Sequence, residues 1–392
     1  MAIYIIVILL MFLLSIAGVF LKKKALTIII LSANVLVAVL FCALKSDAIG
    51  PDTIEYHKMF DNFANKDLAY CFQTKTEVGF SLFTKLITYF SKSFVFYNFV
   101  FYFVVWFSFA FFSYSASKEP AVCFALVFSF SLQFALTAYR QILAVSMIAV
   151  AMALYATLKR KWLRIILFCL FFTLGLSFHH SAIVCLTIPV AFVVAKKTQI
   201  KPFLCVGLYV AFLSGVRCIY YLIAEITNTV YVPFIRNSIP YTSLMAFFVF
   251  MLSYLLNFSR NFRLKNSECI LDRQSKETQR LRSRFVGCIY DLFAKDAGTE
   301  TEDTFLKSST LLALIAACTM SFSLITTVIT RIYVYFEAAI AFVIIETIAS
   351  RKKKIIRILS YIMVMLFAVA YFYISIKRSG YLDFYVPYET FF

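Results

Sequence analysis

Met1–Lys24 reads MAIYIIVILLMFLLSIAGVFLKKK. An uninterrupted apolar run of about 20 residues is long enough to cross the hydrocarbon core of a bilayer as one helix. It is stopped by the lysines at 22–24, and no basic segment precedes it. A cleaved secretory leader carries its charge before the apolar run, so this segment reads as a retained first span with its N-terminus outside.

The rest of the chain repeats the pattern. Of 392 residues, 62% are hydrophobic and 15% are charged, with a mean hydropathy of +0.86. Soluble domains hold about 45–50% apolar and about 25% charged residues, so the composition is that of an all-α integral membrane protein. About twelve spans are expected, at 2–21, 25–44, 94–115, 121–138, 141–158, 163–178, 181–195, 203–223, 241–258, 308–328, 332–349 and 356–376. Pro120, Pro202 and Pro240 open three of them, where the missing backbone N–H costs little. The runs are too long and too uniformly apolar for the alternating strands of a β-barrel.

The formal net charge of +18 does not point to nucleic acid. The basic residues sit in short clusters between apolar runs (LKKKA, LKRKWLR, AKKTQIK, SRKKKIIR), and most of the 38 lysines and arginines fall in the loops this topology places inside. Both termini are then expected on the outer side of the membrane. The ten cysteines are scattered, mostly within apolar runs (Cys123, Cys169, Cys185, Cys205, Cys318), without zinc-ligand or disulfide spacing. No GxxxxGK[ST] phosphate loop is present, which argues against an ATP-driven machine within this chain.

Residues 1–392 read as one polytopic domain with two larger loops. Residues 45–93 face outside. Their second half places Glu77, Ser81, Thr84, Lys85, Thr88 and Lys92 on one helical face and Phe83, Leu86 and Phe90 on the other, which predicts an amphipathic helix in the outer interface. Residues 259–307 face the cytoplasm, basic first and then acidic (GTETED), and suit a tether to anionic lipid.

Charged groups at membrane depth cost about 2.5–3.5 kcal/mol on insertion scales, so those at span ends carry the functional argument. Asp52, Glu55 and Glu77 lie in the first outer loop. Arg140 lies at the turn between the fourth and fifth spans, His179 and His180 between the sixth and seventh, and Arg331 between the tenth and eleventh. All map to the same side. Arginine forks match phosphate oxygens, carboxylates and histidine handle a hydroxyl proton, and Tyr139, Tyr333, Tyr335, Tyr385 and Tyr388 offer aromatic faces with polar tips. A pyrophosphate head on a lipid tail bearing a glycan fits this composition.

Six pieces occur in order: GPDTIEY at 50–56, EVGF at 77–80, YRQILA at 139–144, FHHSAI at 178–183, TRIYVYF at 330–336 and YVPY at 385–388. Together they resemble the EpsG family of bacterial exopolysaccharide-biosynthesis membrane proteins, which are Wzy-like polysaccharide polymerases. EVGF departs from the EPGF of the family pattern, keeping the carboxylate and losing a rigid turn, and 259–307 looks like an insertion. The resemblance implies a GT-C-like arrangement and the transfer of a growing glycan from undecaprenyl pyrophosphate to a hydroxyl of a lipid-linked repeat unit. It implies Asp52, Glu77 and His179 as catalytic candidates, with Asp52 first and Glu77 second as base. Arg140, Arg331, Gln141, His180, Tyr139, Tyr333 and Tyr335 are the implied pyrophosphate and glycan contacts. The pattern FHxSA singles out His179 over His180. No metal or cofactor is required by this chemistry. A chain-length regulator and a flippase are implied partners, with membrane lipid as surroundings.

Simpler roles compete at each position. Arginines at short turns snorkel or cap helix C-termini, Asp52 suits a turn after Gly50-Pro51, and Glu77 suits a helix N-terminus. Arg217 and Glu337 admit purely internal roles. A flippase for lipid-linked oligosaccharide, or a ligase using another lipid-linked donor, stays open beside the polymerase.

Overall fold

The computed structural model describes residues 1–21, 23–158, 160–197, 209–211, 299–321, 332–351, 353–379 and 382–390. The described chain is helical: α1 (Ala2–Leu21), α2 (Lys24–Ala43), α3 (Thr53–Asn65), α4 (Tyr70–Gln73), α5 (Val78–Thr88), α6 (Phe94–Ala116), α7 (Pro120–Thr137), α8 (Tyr139–Thr157), α9 (Lys161–Phe178), α10 (Thr187–Lys197), α11 (Thr299–Ser321), α12 (Glu337–Ala349) and α13 (Lys354–Ser379). Short 3-10 segments cover His180–Leu186, Tyr333–Phe336 and Leu382–Phe384.

Among the described residues, seven helices are long and apolar enough to cross a membrane: α1, α2, α6, α7, α8, α9 and α13. The chain is a multi-pass membrane protein. The expected spans at 203–223 and 241–258 lie outside the described residues, 209–211 excepted. Three others take different shapes. Residues 181–195 are split between a 3-10 segment and α10, and 332–349 between a 3-10 segment and α12. The helix expected at 308–328 begins at Thr299, so the acidic run forms its first turns rather than the end of a loop.

The chain divides into two compact units, Met1–Tyr155 with Ile165–Cys185 and Ile348–Phe392, and Ala156–Arg164 with Leu186–Thr347. In the first, α7 is the central helix and packs against α1, α2, α6 and α13. Its apolar surface is continuous around the helix, and it is buried on nearly every side, as expected of a helix without a polar stripe. Pro120 starts it at the first helical position. Ser93 caps α6 by accepting from the Phe96 N–H at 3.4 Å. Asn34 on α2 donates to Ser15 on α1 at 2.8 Å, a side-chain bond of the kind that fixes neighbouring membrane helices. In the second unit α10 packs on α11, and α11 on the 3-10 turn at Tyr333–Phe336.

The 45–93 loop folds into three helices. The helix expected at the interface is α5, and its polar face is turned inward: Ser81, Thr84, Lys85 and Thr88 are buried while Val78, Leu86, Tyr89 and Phe90 are exposed. Lys85 explains the inversion. Its Nζ donates to the carbonyls of Phe63 at 2.8 Å and Lys66 at 2.6 Å, at the end of α3, where helix carbonyls lack intrahelical partners. Replacing Lys85 by Met leaves the buried Phe63 carbonyl and the part-buried Lys66 carbonyl without this donor, at about 1–3 kcal/mol. The expected result is a lower thermal midpoint for Lys85→Met in detergent, and an unchanged midpoint would remove this contact as the fastener of α3 to α5.

Candidate functional site

The turn between α7 and α8 is a single residue, Ala138. It sets Tyr139 and Arg140 in the first turn of α8, at the same end of the first unit as the start of α3, the start of α5 and the end of α9. These four points carry Asp52 and Tyr56, Glu77, Arg140, and His179.

Glu77 joins three of them. Arg140 Nη1 donates to its Oε2 at 2.6 Å, and His179 Nδ1 lies 2.7 Å from its Oε1. The carboxylate is almost fully buried, whereas the Arg140 side chain is 34% and the His179 side chain 25% exposed. The two bases therefore form the accessible surface of the cluster, with the acid behind them. Burial raises the Glu77 carboxyl, but the bond from His179, its own backbone N–H and the charge and bond of Arg140 outweigh this and hold it down at about 2. A carboxylate that stays charged accepts only, so His179 donates from Nδ1 and its Nε2 is left as the free nitrogen.

Glycine chemistry explains how the segments come so close. A Cβ on Gly79 would lie 2.1 Å from Ser177 Oγ and 2.7 Å from the Ser177 carbonyl oxygen, so only glycine lets the first turn of α5 rest on the last turn of α9. Val78 occupies the first helical position, where proline is readily accepted. The departure from EPGF thus leaves Glu77 in place.

Tyr56 is a site residue that spacing did not single out. Its ring stacks on Tyr139 at 4.5 Å and 13°, and its hydroxyl lies within the electrostatic reach of Arg140. Burial pushes this hydroxyl up, Arg140 opposes it, and the Asp52 charge adds to the rise, so the group stays a donor. GPDTIEY carries the signal: Asp52 and Tyr56 stand four apart at the start of α3, on one face. The Asp52 side chain is partly exposed and makes no hydrogen bond or ion pair among the described residues. Glu55 points away and pairs with Lys58 at 2.7 Å.

The other expected residues are placed as follows. His180 is exposed at the start of the 3-10 segment, and Gln141 is buried in α8. Tyr139 is fully buried against Phe101 at 4.6 Å and donates to Asn98 at 3.2 Å, so its ring is a packing surface beneath the site. Tyr333 and Tyr335 belong to the second unit, Tyr335 buried. Arg331 lies outside the described residues. Tyr385 is buried, and Tyr388 stacks on Phe41 at 4.7 Å with its hydroxyl donating to the Phe41 carbonyl.

Two outcomes follow from the Glu77 cluster. Gly79→Ala forces α5 off α9 and separates Glu77 from His179, so it should cost activity and thermal stability together. Because the folded Glu77 sits near 2 against an ordinary 4.5, its pairing stabilises the fold fully above about pH 4.5, and the contribution is lost as pH falls toward 2. Glu77→Gln should therefore lower the thermal midpoint at pH 7, and the gap to the parent protein should narrow below pH 4.5. A gap independent of pH would remove the charged pairing as its cause.

The sequence was compared with known proteins. No curated protein and no solved structure matches the chain. The model of the EpsG family matches residues 28–390, nearly the whole chain and all six of the sequence pieces that resemble it. The chain belongs to the EpsG family.

Proposed function

We propose that the chain is a polysaccharide polymerase working at the outer face of the membrane. It transfers a growing glycan from undecaprenyl pyrophosphate to a hydroxyl of a lipid-linked repeat unit. The family is associated with exopolysaccharide polymerase-type membrane proteins. The observation that carries the reading is Glu77 holding Arg140 and His179 together, both side chains more exposed than its own.

The acceptor hydroxyl oxygen attacks the anomeric carbon, the bond from that carbon to the pyrophosphate oxygen breaks, and the pyrophosphate leaves with the electron pair. Arg140 spends one donor on Glu77 and turns others to the leaving charge, which grows in the transition state and is therefore bound tighter there. The N-terminus of α8, where Arg140 sits, adds its own positive field. The hydroxyl proton passes to His179 Nε2, while Glu77 holds the ring and stabilises the imidazolium, a division of labour between carboxylate and imidazole that recurs in hydrolases. Asp52, unpaired beside Tyr56, orients the acceptor sugar. The exposed apolar face of α5 lies in the outer interface and sets the site at headgroup depth, where a lipid pyrophosphate resides. A GT-C-like arrangement, a chain-length regulator and a flippase of the same pathway complete the reading.

A flippase needs charged groups along its path through the bilayer. In the seven candidate spans the charged residues stand in the first or last turns, as with Arg140, Lys161, Arg164, Lys354, Arg357 and Lys377, and the middles carry none.

Arg140→Ala should abolish polymer and leave single repeat units on lipid at the outer leaflet, with normal protein levels. Long polymer in this variant, or single units held at the inner leaflet, would refute the transfer reading. With purified protein and lipid-linked repeat units, His179→Gln should slow extension by about 10²–10⁴-fold, the usual worth of a positioned base, and Asp52→Asn by about tenfold or less. The reverse order moves the base to Asp52.

A further inference from the structure

The turn that carries Asp52 is fastened from several directions. Lys45, fully buried, donates from Nζ to the Ile49 carbonyl at 2.6 Å and the Thr53 hydroxyl at 2.5 Å, and its Nζ lies 5.4 Å from the centre of the Tyr139 ring. The Thr53 hydroxyl donates in turn to the Ile49 carbonyl at 2.6 Å. Asp47 pairs with His57 of α3 at 2.5 Å. The remaining fasteners come from the far end of the sequence. The Ser46 N–H donates to the Glu389 carbonyl and the Gly50 N–H to the Phe384 carbonyl, both at 2.9 Å, and Lys45 faces Thr390 in an antiparallel bridge. The C-terminal segment is itself anchored by Tyr388, wedged between Phe41 of α2 and Tyr4 of α1.

What this turn rests on gives the fastening its meaning. Gly50 has φ +90°, and a Cβ there would lie 2.1 Å from the Leu136 carbonyl oxygen. The turn therefore sits directly on the end of α7, three residues before Tyr139. Backbone donors at Ser46 and Gly50 have no partner within the turn, so without the C-terminal segment they would be left to find water. Burial brings the Lys45 amine down to about 7, against the smaller opposing effects of Cys42 and Asp47.

We propose that Lys45 and the C-terminal segment Leu382–Thr390 form a clasp that positions the Asp52–Tyr56 turn against Arg140 for the transfer reaction. The role rests on the polymerase reading given above. Lys45 is a positioning residue: it is fully buried and touches no substrate. A site displaced by about 1 Å loses up to about 10²-fold in rate, so the clasp should appear in kcat rather than in binding.

Steady-state extension with lipid-linked repeat units tests it on the full chain in proteoliposomes. Thr53→Val and Tyr388→Phe, each removing one hydroxyl, should lower kcat about tenfold with KM within about twofold, by the separation of transition-state from ground-state effects. Thr53→Ser should retain both the rate and the thermal midpoint, and the kcat losses of Thr53→Val and Tyr388→Phe should persist at temperatures well below their midpoints, where each variant is fully folded. A normal kcat in both hydroxyl variants, or losses that only follow thermal stability, overturns the clasp. A disulfide across the bridge, S46C with E389C, holds the clasp shut and should keep activity. Activity lost on oxidation and regained on reduction would show that the segment must move, and also overturns the proposal. Arg140→Ala separates the two readings. If it is inactive while Thr53→Val and Tyr388→Phe are normal, the clasp fails alone; if it still makes polymer, the transfer reading fails first.

Discussion

The buried carboxylate of Glu77 is the constraint around which the site is arranged. At the end of an apolar bundle a charge is tolerable only if it is paired and bonded. Glu77 meets that demand with one oxygen on Arg140 and the other on His179. Each partner comes from a different helix end, so satisfying one acid brings together three segments separated by 63 and 102 residues. The same bonds decide chemistry. They keep the acid ionised, which makes it an orienting group, and they leave the exposed edges of arginine and histidine to meet a ligand.

Rigidity is supplied by backbone contacts. Gly79 rests on Ser177 and Gly50 on the Leu136 carbonyl, so α5 and the first turn of α3 are set by close approach to the ends of α9 and α7. Tyr139 underlies both sides: Tyr56 stacks on one part of its environment and Lys45 reaches another. A fully buried aromatic at the start of α8 thus underlies the cluster, and the neighbouring arginine is its more exposed member. Which of two adjacent residues does which is fixed by the one-residue turn at Ala138.

Much of this is legible in the sequence because the membrane imposes one strong rule: apolar runs of sufficient length span, and charges stay at the ends. Six of the seven candidate spans begin within two residues of the expected position and end within one, since a sharp change of composition marks each end. Glu77, Arg140 and His179 stand out because polar groups at those ends are rare. Tyr56 and Lys45 do not. Tyr56 is one of 24 tyrosines, and Lys45 follows an apolar run as an ordinary boundary lysine would; only the folded turn reveals that it is buried. Helical periodicity gives the two faces of α5 but not their direction, because the rule that polar faces meet water fails where α3 offers carbonyls to a lysine. Tyr139 reads as a ligand-facing aromatic next to Arg140, yet helix geometry turns neighbours about a hundred degrees apart, and one of the two must face the core.

In the seven candidate spans charge is kept to the helix ends. The buried polar groups in the middles of the candidate spans include Ser15, Asn34, Ser108, Ser129, Ser131 and Ser146, all uncharged. These are neutral groups of the kind that lock helix to helix. The Glu77 cluster stands at helix termini, where charge costs less than in the middle of a span. A group that must bind developing negative charge gains most where its partners are fixed and partly dry. Arg140, one third exposed and backed by a buried carboxylate, stands at that boundary. The interior is thereby left free to hold it still.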